Sequence, residues 1–289
     1  MEKYRIVREK LQKELMNHNV KFSVSPIATR EELISTHCIN YVDKFINGNL
    51  TEKEIRKTGF PWTNDGVLRA LSSVGGTIAA TRQVLSTQDK ISGHIAGGTH
   101  HAFRDYGEGF CIFSDIACAA NLALNEYKDI CKNIAIIDLD VHQGNGNSVL
   151  FKNDHRVFTF SMHCRDNYFS DIQLSDFDVE VPANTADDEY CQLLENSLDI
   201  MFSKIKPDLI FYQAGVDIHE HDRLGKLKVS SNGIKKRNNI VYRRVQETNA
   251  KCVITLGGGY PKNLDENSLE FKEIVNAHCD VYIDSLLYA

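Results

Sequence analysis

The chain has 289 residues, 42% hydrophobic and 25% charged, with a formal net charge of -6; this composition supports a sizeable core, excludes wholesale disorder and argues against direct nucleic-acid binding. No apolar stretch approaches the ~20 residues that a helix needs to span a bilayer, so no membrane span is expected. The eight cysteines are scattered without C-x-x-C pairs, which reads as free thiols in a reducing compartment, cytoplasm or nucleus, rather than a disulfide framework.

In chain order, residues 3–17 place Tyr4, Ile6, Val7, Leu11, Leu15 and Met16 at helical spacing among Lys and Glu, an amphipathic helix too acidic for a transit peptide. Residues 29–47 read as a second helix opened by a capping box, Thr29 with Glu32, and His37 within it reads as a packed or surface side chain. Trp62, expected in the core or at its rim, precedes a long helix over 64–85. Gly75 and Gly76 inside that helix cost about 1 kcal/mol each relative to Ala, so close packing or a break must justify them.

Next, the strand-like SGHIAGG ends in glycines that permit a tight turn, setting His100 and His101 at the mouth of a sheet. The apolar run IAIID then breaks into Asp138, Asp140 and His142, the mark of a buried parallel strand whose carboxyl end opens into a loop. Residues at i, i+2 and i+4 of an extended segment project to one side, and Asp with His suits a divalent metal. Taken alone, the same pattern could cap the next helix in solvent.

Further on, residues 157–162 form a strand carrying Ser161 and followed by His163, and 186–204 form a helix. LIFYQAG is a strand delivering Asp217; His219 and His221 beyond it read as loop residues. A helix over 231–244 carries a basic face, Lys235, Lys236 and Arg237, expected to be solvated. CVITL leads into Gly257, Gly258, Gly259 and Tyr260, and a last helix covers 268–284. Five segments thus run from apolar strand to polar group in one direction. The expectation is an α/β fold, one domain over 1–289, with a mostly parallel central sheet flanked by helices and the site at the carboxyl ends of its strands.

The segments GGTHHAF, GFCIFSD, DLDVHQGNG, QAGVDIHEHDRLGKLKVS and LGGGY, in this order, resemble the zinc-dependent histone deacetylase superfamily over nearly the whole chain. HQGNG and GGTI at 75–78 look most like its class IV branch, of the histone deacetylase 11 type. The resemblance implies an arginase/deacetylase-like fold and hydrolysis of N-acyl-lysine amides on histone or other proteins. It implies one Zn2+ per chain on Asp140, His142 and Asp217, with His101 as general base and His100 its electrostatic partner oriented by Asp138. Tyr260 would donate to the oxyanion, and a monovalent cation, K+, would sit at Asp138 and Ser161. Gly109, Phe110, Tyr168, Phe169 and Gly258 would line the acyl channel. Asn145 stands where many members carry an Asp beside the active imidazole, so the base is expected to be less basic here. Class IV membership implies long fatty acyl groups as well as, or instead of, acetyl. Other readings of the same parts are an acetylpolyamine-type hydrolase, a catalytically silent scaffold in a protein complex, and an acyl-lysine binding module. The family usually precedes the first helix with a short strand-bearing segment containing a Tyr and a His-Pro, and its absence leaves one sheet edge in question.

Overall fold

The fold follows from short β-branched runs separated by amphipathic stretches. In the computed structural model, which describes residues 2–167 and 171–289, these runs pair as one sheet. Its six strands are β1 (Ile91–His94), β2 (Ile134–Asp138), β3 (Val157–Cys164), β4 (Phe177–Val181), β5 (Leu209–Gln213) and β6 (Lys251–Thr255), in the order β1-β6-β5-β2-β3-β4. Every pairing is parallel, with Ile134 opposite both Val157 and Leu209, and Asp138 opposite both Ser161 and Gln213. Parallel neighbours need long crossovers, and helices supply them.

The helices are α1 (Glu2–Glu14), α2 (Arg30–Ile34), α3 (Ile39–Ile46), α4 (Glu52–Thr58), α5 (Asn64–Ser86), α6 (Asp115–Glu126), α7 (Asn145–Phe151), α8 (Asp187–Lys204), α9 (Ser231–Thr248) and α10 (Leu269–Ser285). Strand side chains alternate between the two faces and so belong to two cores. Ile134 and Ile136 join Leu209, Phe211 and Val253 beneath α3, α5 and α6, whereas Ala135 and Ile137 join Ile210, Tyr212 and Ile254 beneath α8, α9 and α10. Both faces of the sheet are therefore covered, as a parallel sheet requires. The result is the single α/β domain that the alternation of elements predicts.

Two expectations change. The stretch over 29–47 is two helices, because residues between them turn to bond elsewhere: Cys38 N donates to Arg104 O at 2.7 Å and buried His37 bonds Phe103 O at 2.9 Å. The capping box of Thr29 and Glu32 does form. Arg237 is not solvated; it is fully buried and donates to the carbonyls of Ala214 and Gly215, while Lys235 and Lys236 are exposed. Helices α4, α6 and α7 and strand β4, unassigned from sequence, are also present.

Other readings hold. Helix α5 runs unbroken through Gly75 and Gly76, so packing is their reason: a Cβ on Gly75 would overlap Pro26 O, and one on Gly76 the His94 ring. Trp62 is half-buried against the α3–α5 core, with Nε1 donating to Phe45 O at 2.7 Å. All eight cysteines are free and seven are buried. No helix among the described residues is long and apolar enough to cross a membrane.

Candidate active site

From β2 the chain moves to β3 and β4 on one side of the sheet, then returns to β5 and β6 on the other. The reversal falls between β2 and β5, and the position beyond the carboxyl ends of two such strands is the usual ligand position in a sheet of this kind. Asp140 and His142 follow β2 and Asp217 follows β5, so residues far apart in sequence meet there. One ligand-capable atom from each of Asp140, His142 and Asp217 lies within 4.8 Å of the others.

Backbone contacts fix the group. Asp140 Oδ2 accepts Gly258 N at 2.8 Å, its Oδ1 accepts His142 N at 3.0 Å, and Asp217 Oδ1 accepts Val141 N at 2.9 Å. Gly258 is obligatory, since a Cβ there would overlap the Asp217 carboxylate. The remaining oxygen, Asp217 Oδ2, is buried without a hydrogen-bond partner and lies 3.4 Å from His142 Nδ1.

The electrostatics demand positive charge. Burial, then the Asp140 charge, pushes Asp217 up to about 7. Against its own burial, the hydrogen bond to Asp140 and the nearby Asp217 carboxylate raise His142 to about 10. A divalent cation answers that demand, and two carboxylates with one imidazole are an apt donor set for zinc or a similar ion. The orphaned Asp217 oxygen fits the same role.

Beside this group, the turn through Gly97 (φ 75°) and Gly98 (φ 80°) delivers His100 and His101, ring centroids 4.0 Å apart. His100 Nδ1 lies 2.7 Å from Asp138 Oδ2; burial alone would hold this ring low, but the Asp138 and Asp140 charges raise it to about 9. His101 stands 5.9 Å, centroid to centroid, from the His142 ring. Its burial, then the charges of His100 and His142, hold it well below the usual imidazole range. The surroundings thus favour the proton on His100 and disfavour it on His101, the kind of contrast that separates an acid from a base.

Tyr260 is half-buried at the end of the β6 loop, its N–H donating to Asp222 Oδ2 at 2.5 Å. Burial, then Asp140 and Asp217, raises its phenol well above the usual value, so it remains a donor. Lys3 of α1 donates to Gly259 O at 2.6 Å, its Nζ 5.0 Å from the Tyr260 ring centroid, and burial lowers it to about 8. Asp138 and Ser161 are register partners on β2 and β3, with Ser161 Oγ accepting Gly144 N at 3.3 Å. Phe110 is exposed, in the left-handed region at φ 66°, with its ring 5.1 Å from that of Phe60, and Gly109 precedes it at φ 56°. His219 bonds Ser231 Oγ at 3.0 Å and stays outside the Asp-His-Asp group, as does His221. Tyr168 and Phe169 lie outside the described residues.

Several contributors escape the sequence reading. Asp115, at the start of α6, accepts Gly98 N at 3.0 Å and Thr99 N at 2.7 Å and so anchors the histidine loop. Buried Gln213 links Gly98 O at 2.8 Å to Thr255 Oγ1 at 2.6 Å, tying three strand ends together. Asn145 Oδ1 lies 2.7 Å from His101 Nδ1, and Asn145 Nδ2 donates to the buried carboxylate of Glu108 at 3.1 Å. Position 145 is therefore not remote from negative charge: the carboxylate lies one amide away. An acid flanked by two glycines, Gly107 and Gly109, is the only trace of this in the sequence.

The profile of the histone deacetylase domain family matches residues 1–276. An uncharacterised protein of Picosynechococcus sp. is 41% identical over 246 residues, covering 85% of this chain and 81% of its own. Histone deacetylase 2 of Arabidopsis thaliana is 34% identical over 254 residues, 84% of this chain. The acetoin utilization protein AcuC of Staphylococcus aureus is 30% identical over 256 residues, 81% of this chain. The matched parts span 64% and 65% of those last two relatives.

Proposed function

We propose a function from a fixed premise, that this chain belongs to the histone deacetylase domain family. It is a deacetylase-family hydrolase of amide bonds, and the substrate we assign is an N-acyl-lysine side chain on a protein. The observation that carries this reading is the buried Asp140, His142 and Asp217 group beside two imidazoles 4.0 Å apart, His100 held by Asp138 and His101 by Asn145. A divalent ion, zinc by family habit, would be held by those three residues, where it would polarise the amide carbonyl and acidify the attacking water.

The chain's own groups complete the chemistry. Neutral His101 takes the proton of the attacking water through Nε2, since Nδ1 is committed to Asn145. Cationic His100, held by Asp138, stabilises the developing negative charge and gives its proton to the departing lysine amine. Tyr260 donates its phenolic hydrogen to the oxyanion, and the elevated pKa keeps that hydrogen in place. Gly109, Phe110 and Gly258 line the acyl-lysine channel in this reading. Asp138 and Ser161 hold a monovalent cation that braces the loop after β2. HQGNG and GGTI support placing the chain in the class IV branch, which extends the acyl groups from acetyl to long fatty chains.

The test is a substrate panel on purified, zinc-loaded protein with the metal content measured. About one zinc per chain, with chelator-sensitive release from acetyl- or myristoyl-lysine peptides, supports the proposal. Turnover of acetylpolyamines alone would reassign the substrate. Folded, metal-loaded protein inert on all three would leave a scaffold of the same fold.

A further inference from the structure

We propose that Glu108 is a positioning residue for His101, acting through the side-chain amide of Asn145. Glu108 is 4% exposed in the segment between the histidine loop and α6, and one of its oxygens meets Nζ of Lys57 on α4 at 3.1 Å. The other oxygen accepts Asn145 Nδ2 at 3.1 Å, and Asn145 Oδ1 in turn lies 2.7 Å from His101 Nδ1.

A primary amide has two ends of nearly equal shape and opposite hydrogen-bonding character. With Oδ1 toward the ring, His101 keeps its proton on Nδ1 and presents the Nε2 lone pair. With Nδ2 toward the ring, Nδ1 must accept, the proton moves to Nε2, and the ring cannot act as a base from that nitrogen. A carboxylate only accepts hydrogen bonds, so Glu108 selects the first orientation. The Gly146 N–H supports the same choice at 2.9 Å from Asn145 Oδ1, but it is shared with His100 O, also at 2.9 Å. An aspartate at position 145 could orient the ring with no amide to misplace. An asparagine there needs a second group to hold its sense, and Glu108 is that group.

The inference rests on the hydrolase reading, in which His101 is the base, and its test separates the two. The ring tautomer of His101 is read by 15N NMR on the zinc-loaded full chain, and kcat and KM are measured alongside. The wild type should show the Nδ1–H form. Glu108→Ala should populate the Nε2–H form and lower kcat by about 10- to 100-fold, with KM changed less than about twofold. Asn145→Asp alone sets two carboxylates near contact and should also be impaired. The double variant Glu108→Ala with Asn145→Asp should recover most of the activity lost by either single change, because a carboxylate has no donor end to misorient. Glu108→Gln, which conserves volume, serves if Glu108→Ala does not fold, with mixed tautomers and a partial loss of kcat expected. An unchanged tautomer in the Glu108 variants, or a double variant whose loss is the product of the single losses, overturns the proposal. A wild type inert on every substrate would sink the hydrolase reading and still leave the tautomer measurement to decide the role of Glu108.

Discussion

His37 shows how one buried ring sets a pH limit for the whole molecule. Its Nδ1 donates to Phe103 O at 2.9 Å and its Nε2 accepts Ser114 N at 3.0 Å, so a second proton has no place. Burial lowers the folded ring to about 4, whereas an unfolded imidazole takes its proton near 6.5. Between those values the unfolded chain binds more protons, so stability is full above ~6.5 and falls as pH drops toward ~4, by ~3 kcal/mol for this ring. His94 and His219, also lowered to about 4 by burial, steepen the same decline. Urea midpoints measured across that window should fall steadily, and His37→Gln should flatten the profile; a wild-type profile already flat would refute the account. Residues like these are hard to read from sequence because their roles depend on carbonyls and N–H groups brought from elsewhere. Asp138, Asp140 and His142 were legible because strand periodicity itself sets them on one side, whereas Glu108, Asp115 and Gln213 gain their roles only through partners on other elements.

Among the elements, α5 and α9 repay attention because each carries residues that local rules misjudge. On an exposed helix Gly75→Ala would stabilise by about 1 kcal/mol. Here the new methyl would overlap the Pro26 carbonyl, so we expect a loss of about 2 kcal/mol, visible as a lower thermal midpoint. Arg237 on α9 shares the sequence neighbourhood of Lys235 and Lys236 but faces inward, and helical phase alone could not settle that in so polar a segment. Its guanidinium secures the Ala214 and Gly215 carbonyls, two residues before Asp217 in the nearer case. Arg237→Met should therefore cost ~3 kcal/mol by leaving buried acceptors unmatched, and should weaken zinc binding in a competitive chelator titration. Unchanged zinc affinity with reduced stability would confine Arg237 to a packing role. Strands were the easier elements to place, since five apolar runs ended in conspicuous polar groups. The break between α2 and α3 was not, because a distant backbone at residues 103 and 104 causes it.

At the scale of the molecule, the Asp140, His142 and Asp217 group joins loops that follow two central strands, so occupancy of this candidate site by a cation would be coupled to folding. At a hundredfold excess of zinc over its Kd, the native state should gain about 2.7 kcal/mol. Chelation should then lower the melting temperature by roughly 5 °C for a chain of this length, using ~2 °C per kcal/mol. Asp217→Asn should abolish most of that difference between loaded and stripped protein, as differential scanning calorimetry would show. Equal midpoints with and without zinc would mean that the cation does not bind where the geometry places it.

The strand order carries a consequence for how the polypeptide is made. Among the described residues strand β1 pairs only with β6, with Ile91 opposite Cys252, so the chain through residue 255 must leave the ribosome before that edge can close. Until then the nascent N-terminal third presents helices whose apolar faces have no sheet to cover, a state prone to association with other chains. Chaperone dependence during synthesis, and failure to accumulate when translation stops short of residue 251, are what such an arrangement entails.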